Sequence, residues 1–212
     1  METVNIADLI HSSRKVEETI GKKRKLDKSH STSSGRNDAA DALAHEEYPY
    51  IVDDDDHCES PLEAYSDISG FLNELAKELN KTPETLAIYD PYYCEGSVVA
   101  RLNSLGFKNV YNRKEDFYAV AASNSLPNFD VMVTNPPYSG DNVEKLLRIS
   151  LSSSKPFFLL MPNYVYTKEY YDRIVLSYKR SIFYVVPKKG RYLYTTPKAR
   201  NFIFPISCLT FC

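Results

Sequence analysis

The chain has 212 residues, long enough for one domain with a proper core plus a tail. Its 43% hydrophobic and 25% charged residues match an ordinary globular composition, and a formal net charge of −2 gives no global reason to expect a polyanion. Nucleic acid, if it binds, has to meet a local patch. The four cysteines, Cys58, Cys94, Cys208 and Cys212, form no CxxC pair. They therefore read as reduced thiols rather than a disulfide framework or a metal site, and no apolar run is long enough to span a membrane.

Residues 1–56 are polar, serine-rich and short of large apolar side chains, which predicts a disordered tail ahead of a folded domain over 57–212. The tail carries Lys22-Lys23-Arg24-Lys25 behind Arg14-Lys15. Such a basic cluster suits a nuclear import signal, with a phosphate-binding arm or a solvated charge run as its alternatives; without import the protein would be cytoplasmic. "VDDDD" at 52–56 marks the edge of the folded part.

Ser60-Pro61-Leu62-Glu63 has the form of a capping box with proline at the first helical position. Leu62, Tyr65, Ile68, Phe71, Leu72, Leu75 and Leu79 follow at helical spacing. "TLAIYD" (85–90) reads as a strand ending at Asp90, then a loop, then a helix bearing Val98, Val99, Leu102 and Leu105 that Gly106 stops. "KNVYN" (108–112) is a second strand, "EDFYAVAAS" a helical turn, and "FDVMVT" (129–134) a third strand. Asp141 and Glu144 suggest another capping box, for a helix burying Val143, Leu146, Leu147 and Leu151. "PFFLLMP" (156–162), a helix capped at Thr167, and the strand "SIFYVV" (181–186) complete the alternation. Strands and helices alternating at this spacing predict parallel βαβ units in a three-layer, doubly wound, mostly parallel α/β sheet. Ligands of such sheets bind at the carboxyl ends of the strands, which here means the loops after Asp90, Asn112, Thr134 and Met161.

The loop Asn135-Pro136-Pro137-Tyr138 stands at one of those ends. Proline keeps Asn135 extended and stiffens the loop, and neither proline donates an N–H. The Asn135 side-chain oxygen and the Pro136 carbonyl can thus accept two hydrogen bonds from one amine, while Tyr138 offers a ring for a planar group to stack on. A held planar amine with a directed lone pair is what N-methylation requires. The tetrad resembles the [DNS]PP[YFW] catalytic loop of the class I S-adenosylmethionine (SAM)-dependent amino-methyltransferases, which have a Rossmann-like fold.

That resemblance implies roles for other residues. Asp90-Pro91-Tyr92-Tyr93-Cys94-Glu95-Gly96-Ser97 takes the place of the family's D-P-x-x-G-x-G loop, with Asp90 receiving the cofactor's ammonium group, Tyr92 in the wall and Gly96 letting the backbone approach. Only one glycine is present, and Glu95 stands as an insertion in the pattern. Ser60-Pro61 resembles the family's [ST]P motif, and a helix cap accounts for it equally well. Asp116 and Phe117 resemble the [DN]F element that meets adenine. The acidic residue usual at the end of the second strand is replaced by Asn112, which would donate to a ribose hydroxyl. One βα unit is absent between Asp90 and Asn135, as in compact phage-type adenine methyltransferases.

The resemblance, covering about 57–187, implies SAM-dependent methylation of adenine N6 in DNA or RNA without metal, membrane or cysteine nucleophile. "PKKGRYLYTTPKAR" (187–200) interleaves basic and aromatic residues as a single-strand-binding edge does, or as a solvated loop does. The alternatives are a protein substrate, glutamine or lysine, and a truncated, non-catalytic binding module. The last is suggested by the ending "ARNFIFPISCLTFC", which shows no clear hairpin signals and implies an incomplete C-terminal hairpin.

Overall fold

A computed structural model describes residues 58–178, 181–187, 191–195, 201–205 and 207–211. The basic cluster Lys22–Lys25 and the acidic run at 52–56 lie outside the described residues. Eight strands are present among them: β1 (Ile88–Tyr89), β2 (Val110–Tyr111), β3 (Val131–Thr134), β4 (Phe157–Pro162), β5 (Phe183–Val185), β6 (Arg191–Thr195), β7 (Asn201–Pro205) and β8 (Ser207–Phe211). The helices are α1 (Leu62–Glu78), α2 (Ser97–Ser104), α3 (Phe117–Ala122), α4 (Asn142–Ser152) and α5 (Glu169–Tyr178), with a 3-10 turn over Asn163–Thr167.

The strands read as unbroken apolar runs because both faces of the sheet are covered. Successive side chains point to opposite sides. Ile88, Val131, Val133, Phe158 and Leu160 enter one core with Ile68 and Leu72 of α1 and Val98 and Leu102 of α2. Tyr89, Met132, Phe157, Leu159 and Met161 enter a second core with Phe117 of α3, Leu146 and Leu147 of α4 and Ile174 of α5. The result is the expected three-layer α/β architecture.

Strand order is β2-β1-β3-β4-β8-β5, with β2, β1, β3 and β4 parallel. The chain steps from β1 outward to β2 and then returns to β3 on the other side of β1. That reversal is the switch point of a doubly wound sheet, where the loops after β1 and β3 diverge and leave a crevice. Those two loops begin with Asp90 and Asn135.

The C-terminal end corrects an expectation. Ser207–Phe211 enters the sheet between β4 and β5, antiparallel to both, with Met161 opposite Cys208 and Val185 opposite Leu209. The strand expected to be missing is therefore present, and the far edge of β4 is paired. A separate hairpin joins β6 to β7, with Leu193 opposite Ile203. Pro205, at the end of β7, breaks one apolar tail into two strands, which a search for turn residues does not reveal.

Three local expectations are also revised. Neither capping box forms: no side-chain bond caps α1 or α4, and the Asp141 carboxylate pairs with Lys145 at 2.9 Å instead. Ser60 is buried, its carbonyl accepting from Arg101 and its hydroxyl bonded to Tyr65 instead of the helix end. Thr167 Oγ1 donates to the Tyr164 carbonyl at 2.7 Å and closes the 3-10 turn. Tyr192, in the basic–aromatic stretch, is buried against α1 and donates to Asp67 Oδ2 at 2.7 Å, so its ring is no stacking surface.

Phe158 is fully buried in β4 and packs on Phe71 with ring centroids 6.2 Å apart. Phe158→Ala is expected to lower the unfolding free energy by about 3–5 kcal/mol in urea titration. Leu176→Ala, at a position 75% exposed, is expected to change it by no more than about 0.5 kcal/mol.

Candidate functional site at the carboxyl edge of the sheet

Asp90 closes β1 with only 5% of its surface exposed. Its Oδ1 accepts from Thr134 Oγ1 at 2.6 Å and from the Tyr92 N–H at 3.1 Å. The Asn112 amide donates to the Asp90 carbonyl at 3.1 Å and to the Tyr92 carbonyl at 3.2 Å. The ends of β1, β2 and β3 are thereby tied through one buried carboxyl and one buried amide. Burial pushes the Asp90 carboxyl up to about 7, the Thr134 and Tyr92 bonds pull it back, and the nearby Glu59 charge adds to the rise. A buried acid facing a second acid is a site suited to a cation.

The loop after Asp90 is shaped by two left-handed residues, Cys94 at φ 44° and Gly96 at φ 75°. Gly96 precedes α2, donates its N–H to the Tyr93 carbonyl at 2.7 Å, and lies against the Tyr93 ring. A Cβ there would meet the ring at 3.0 Å, so glycine is required both by conformation and by space. Glu59 Oε1 accepts from the Glu95 N–H at 2.9 Å, and Glu59 Oε2 pairs with Arg101 of α2 at 2.9 Å. Arg101 also donates to the Ser60 carbonyl. Cys58-Glu59-Ser60 is thus strapped across the head of α2. The pocket beneath it, between Glu59, Ser60, Asp90, Tyr92 and Asn135, has free space of about 10 Å³, room for one water. Pro61 flanks this pocket as the cap residue of α1. Burial, then the Asp90 and Glu59 charges, push the Cys94 thiol up, which keeps it neutral and unreactive.

Asp116 caps α3, its Oδ1 accepting from the N–H groups of Tyr118 at 3.0 Å and Ala119 at 3.1 Å. Phe117 is 3% exposed and sits among Tyr89, Tyr92 and Tyr118, with centroids 5.2–6.4 Å away. It is a core ring. Tyr92 lies edge-on over it, and the Tyr92 and Tyr118 hydroxyls meet at 2.9 Å. The aromatic residues that line the pocket are Tyr65, Tyr92 and Tyr93, and Phe117 is not among them.

In the tetrad, the Asn135 amide nitrogen donates to the Cys58 carbonyl at 3.1 Å. The Tyr138 hydroxyl donates to Asn135 Oδ1 and to the Leu160 carbonyl, the latter at 3.3 Å. The nitrogen's bond fixes the amide's orientation, and the oxygen keeps a second lone pair for an incoming amine. Pro136 is buried and Pro137 half-buried between them. Through Cys58, the tetrad and the pocket are one structure.

Four buried side-chain polar atoms among the described residues lack a hydrogen-bond partner: Ser97 Oγ, Asn103 Oδ1, Asn112 Oδ1 and Asn163 Nδ2. Three of these lie where strands or the first loop meet the carboxyl edge, and an unmet buried group costs about 1–3 kcal/mol. Asn112 reverses its expected part. Its nitrogen is consumed by two carbonyls, so only its oxygen is left to meet a hydroxyl, as acceptor. Glu59, Arg101 and Thr134 were not singled out in the sequence. Thr134 carried a signal, being a polar residue that ends an otherwise apolar strand; the Glu59–Arg101 pair, 42 positions apart, carried none.

No protein-family model and no curated protein matches the chain. Among solved structures, a precorrin-6y C5,15-methyltransferase from Geobacter metallireducens GS-15 aligns over 77% of this chain and 98% of its own, at 13% identity and a TM-score of 0.42. At that score the likeness carries no functional weight, and the reading that follows rests on the residues.

The raised Asp90 carboxyl has a consequence for stability. Between pH 4 and 7 the folded chain holds a proton at Asp90 that the unfolded chain has lost. Stability is therefore full below the ordinary carboxylate range and falls as pH rises to about 7, by an amount on the order of 4 kcal/mol. Urea titrations at pH 4.5 and 8 are expected to show this fall in the wild type and a flatter profile in Asp90→Asn.

Proposed function

We propose that the protein is a SAM-dependent N-methyltransferase acting on the exocyclic N6 amine of adenine in nucleic acid. The observation that carries this reading is the Asn135 amide, its nitrogen anchored on Cys58 and its oxygen presented beside the buried acid pocket of Asp90. SAM, when bound, supplies an electrophilic methyl group on a sulfonium. The residues fit such a ligand: Asp90 and Glu59 suit its ammonium group, and the unpartnered Asn112 oxygen suits a ribose hydroxyl. Gly96 lets backbone approach, and Asp116 has a second carboxylate oxygen for an adenine amine. The pocket lined by Glu59, Asp90 and Tyr92 has free space of about 10 Å³, room for one water, so it has to open to take the amino-acid end; the nucleoside end would meet Tyr92 and Tyr118.

Asn135 Oδ1 and the Pro136 carbonyl accept the two N–H groups of the substrate amine and direct its lone pair. As nitrogen gains positive charge in the transition state, the same two acceptors stabilise it without reorganising. The nitrogen sheds its proton to water after transfer, so no side-chain base is needed. Tyr138 gives a flipped base a stacking face. The nuclear location, through Lys22, Lys23, Arg24 and Lys25, and nucleic acid rather than a glutamine or lysine side chain as substrate, belong to the same proposal. The non-catalytic alternative drew on an unfinished sheet, and β8 fills that place.

Isothermal titration with SAM followed by labelled-methyl transfer to adenine-containing DNA and RNA tests this; absence of SAM binding rejects it. Asn135→Ala is expected to slow transfer by about 10²–10³. SAM affinity should fall less than about tenfold, since the bonds lost, to the Cys58 carbonyl and from the Tyr138 hydroxyl, leave the Asp90 and Glu59 carboxylates in place. Tyr138→Phe keeps the ring and should stay within about fivefold of wild type. Tyr138→Ala should raise KM by about 5- to 100-fold through lost stacking.

A further inference from the structure

The Asn163 side chain is 3% exposed, yet its amide nitrogen has no hydrogen-bond partner. Asn163 is the first residue after β4 and opens the 3-10 turn Asn163–Thr167. β4 lies next to β3 in parallel, with Thr134 opposite Leu159, so the chain leaves both strands on the same edge. The tetrad reaches across to β4, where the Tyr138 hydroxyl bonds the Leu160 carbonyl three positions before Asn163. Along the edge, Asn112 and Asp90 end β2 and β1, Asn135 follows β3, and Asn163 follows β4. Asp90 lines the pocket assigned to the cofactor, and Asn112 holds its carbonyl from beside it. Asn163 stands on the opposite side of the reacting amine's acceptors from them.

From this placement we infer that Asn163 is a substrate-recognition residue, whose side-chain N–H donates to a hydrogen-bond acceptor adjacent to the amine being methylated. The inference rests on the N-methyltransferase reading and narrows it. An amine next to an acceptor describes adenine, whose N6 lies between ring nitrogens N1 and N7, and also a primary amide. It excludes the alkylamine of lysine, which has no neighbouring acceptor. A site that presents two acceptors to an N–H2 group and one donor beside it rejects a substrate lacking the complementary pattern, because buried groups are then left unpaired. It also explains why a folded chain retains a buried amide with an unmet donor: the partner arrives with the substrate.

The test pairs residue and substrate deletions. Transfer is measured on oligonucleotides carrying adenine, 1-deazaadenine or 7-deazaadenine, and on glutamine and lysine peptides. Asn163→Ala is expected to raise KM on the adenine oligonucleotide by about 5- to 100-fold while SAM affinity stays within twofold. One of the two deaza substrates should show the same loss with wild type and no further loss with Asn163→Ala. If a glutamine peptide proves to be the substrate, the adenine assignment falls and Asn163 should still be required. Transfer to a lysine peptide overturns both the adenine assignment and the inference, whereas an Asn163→Ala variant with unchanged KM on the adenine oligonucleotide overturns the inference alone. A readout independent of activity is binding of the adenine oligonucleotide followed by fluorescence anisotropy: Asn163→Ala should weaken it by about 5- to 100-fold, and unchanged affinity overturns the inference.

Discussion

The hydrogen bond from Thr134 Oγ1 to the buried Asp90 carboxyl is the constraint on which the rest of the edge depends. It spans the switch point, joining the ends of β1 and β3 where their loops part. Asn112 adds β2 by holding the Asp90 and Tyr92 carbonyls. Three strands that could end independently instead end in one network. Such a network, buried among apolar side chains, is stiff when satisfied and costly when any member is lost. Its position decides what the loops can present. Asp90 is held facing the pocket, the Tyr92 backbone is turned over it, and Asn135 follows directly from the residue that makes the bond.

A second tie converts two sites into one. Glu59 bonds the Glu95 N–H and Arg101, and the residue before it, Cys58, takes the Asn135 amide. The strap therefore touches the α2 head, the acid pocket and the tetrad at once. Its ion pair is 26% and 12% exposed, unlike the Lys77–Glu74 pair on α1 at 70% and 69%. Surface pairs such as the latter contribute about 0–1 kcal/mol and are screened by salt. The half-buried pair is different because removing either partner leaves a charge stranded beside Asp90. A shift at the pocket is passed to Asn135 through two hydrogen bonds rather than through a long path.

What could be read from the sequence follows from how local each cause is. Strands buried on both faces have to be apolar throughout, so β3 and β4 were evident, and so were the polar residues that end the runs. The two-core alternation from Ile88 to Met161 needs nothing beyond the pleat. Side-chain capping does not form because the Ser60 hydroxyl bonds Tyr65 and the Asp141 carboxylate pairs with a lysine one turn on. Phe117 matched a motif position, but tertiary packing made it a core ring and left the pocket to Tyr65, Tyr92 and Tyr93. β8 escaped because its reason lies in pairing: a strand inserted between β4 and β5 is specified by its neighbours' unpaired edges and not by its own turn residues.

The distribution of unmet groups makes the same separation between structure and site. Of the four buried polar side chains left unpaired among the described residues, Ser97, Asn112 and Asn163 lie along one edge and Asn103 lies within α2, and the same edge holds Asp90 as an acid near neutrality. Each is a loss of stability in the free protein, and each is recoverable by a ligand with the matching group. The Asp90 proton makes the recovery selective. An ammonium placed beside that carboxyl displaces its proton, because two positive charges cannot share one buried acid, so binding of a cation releases a proton and strengthens as pH rises toward 7. A neutral ligand of the same shape gains nothing from that exchange. On the proposed function, the edge would discriminate by charge at β1 and by hydrogen-bond pattern at β3 and β4, on either side of the point where the sheet reverses.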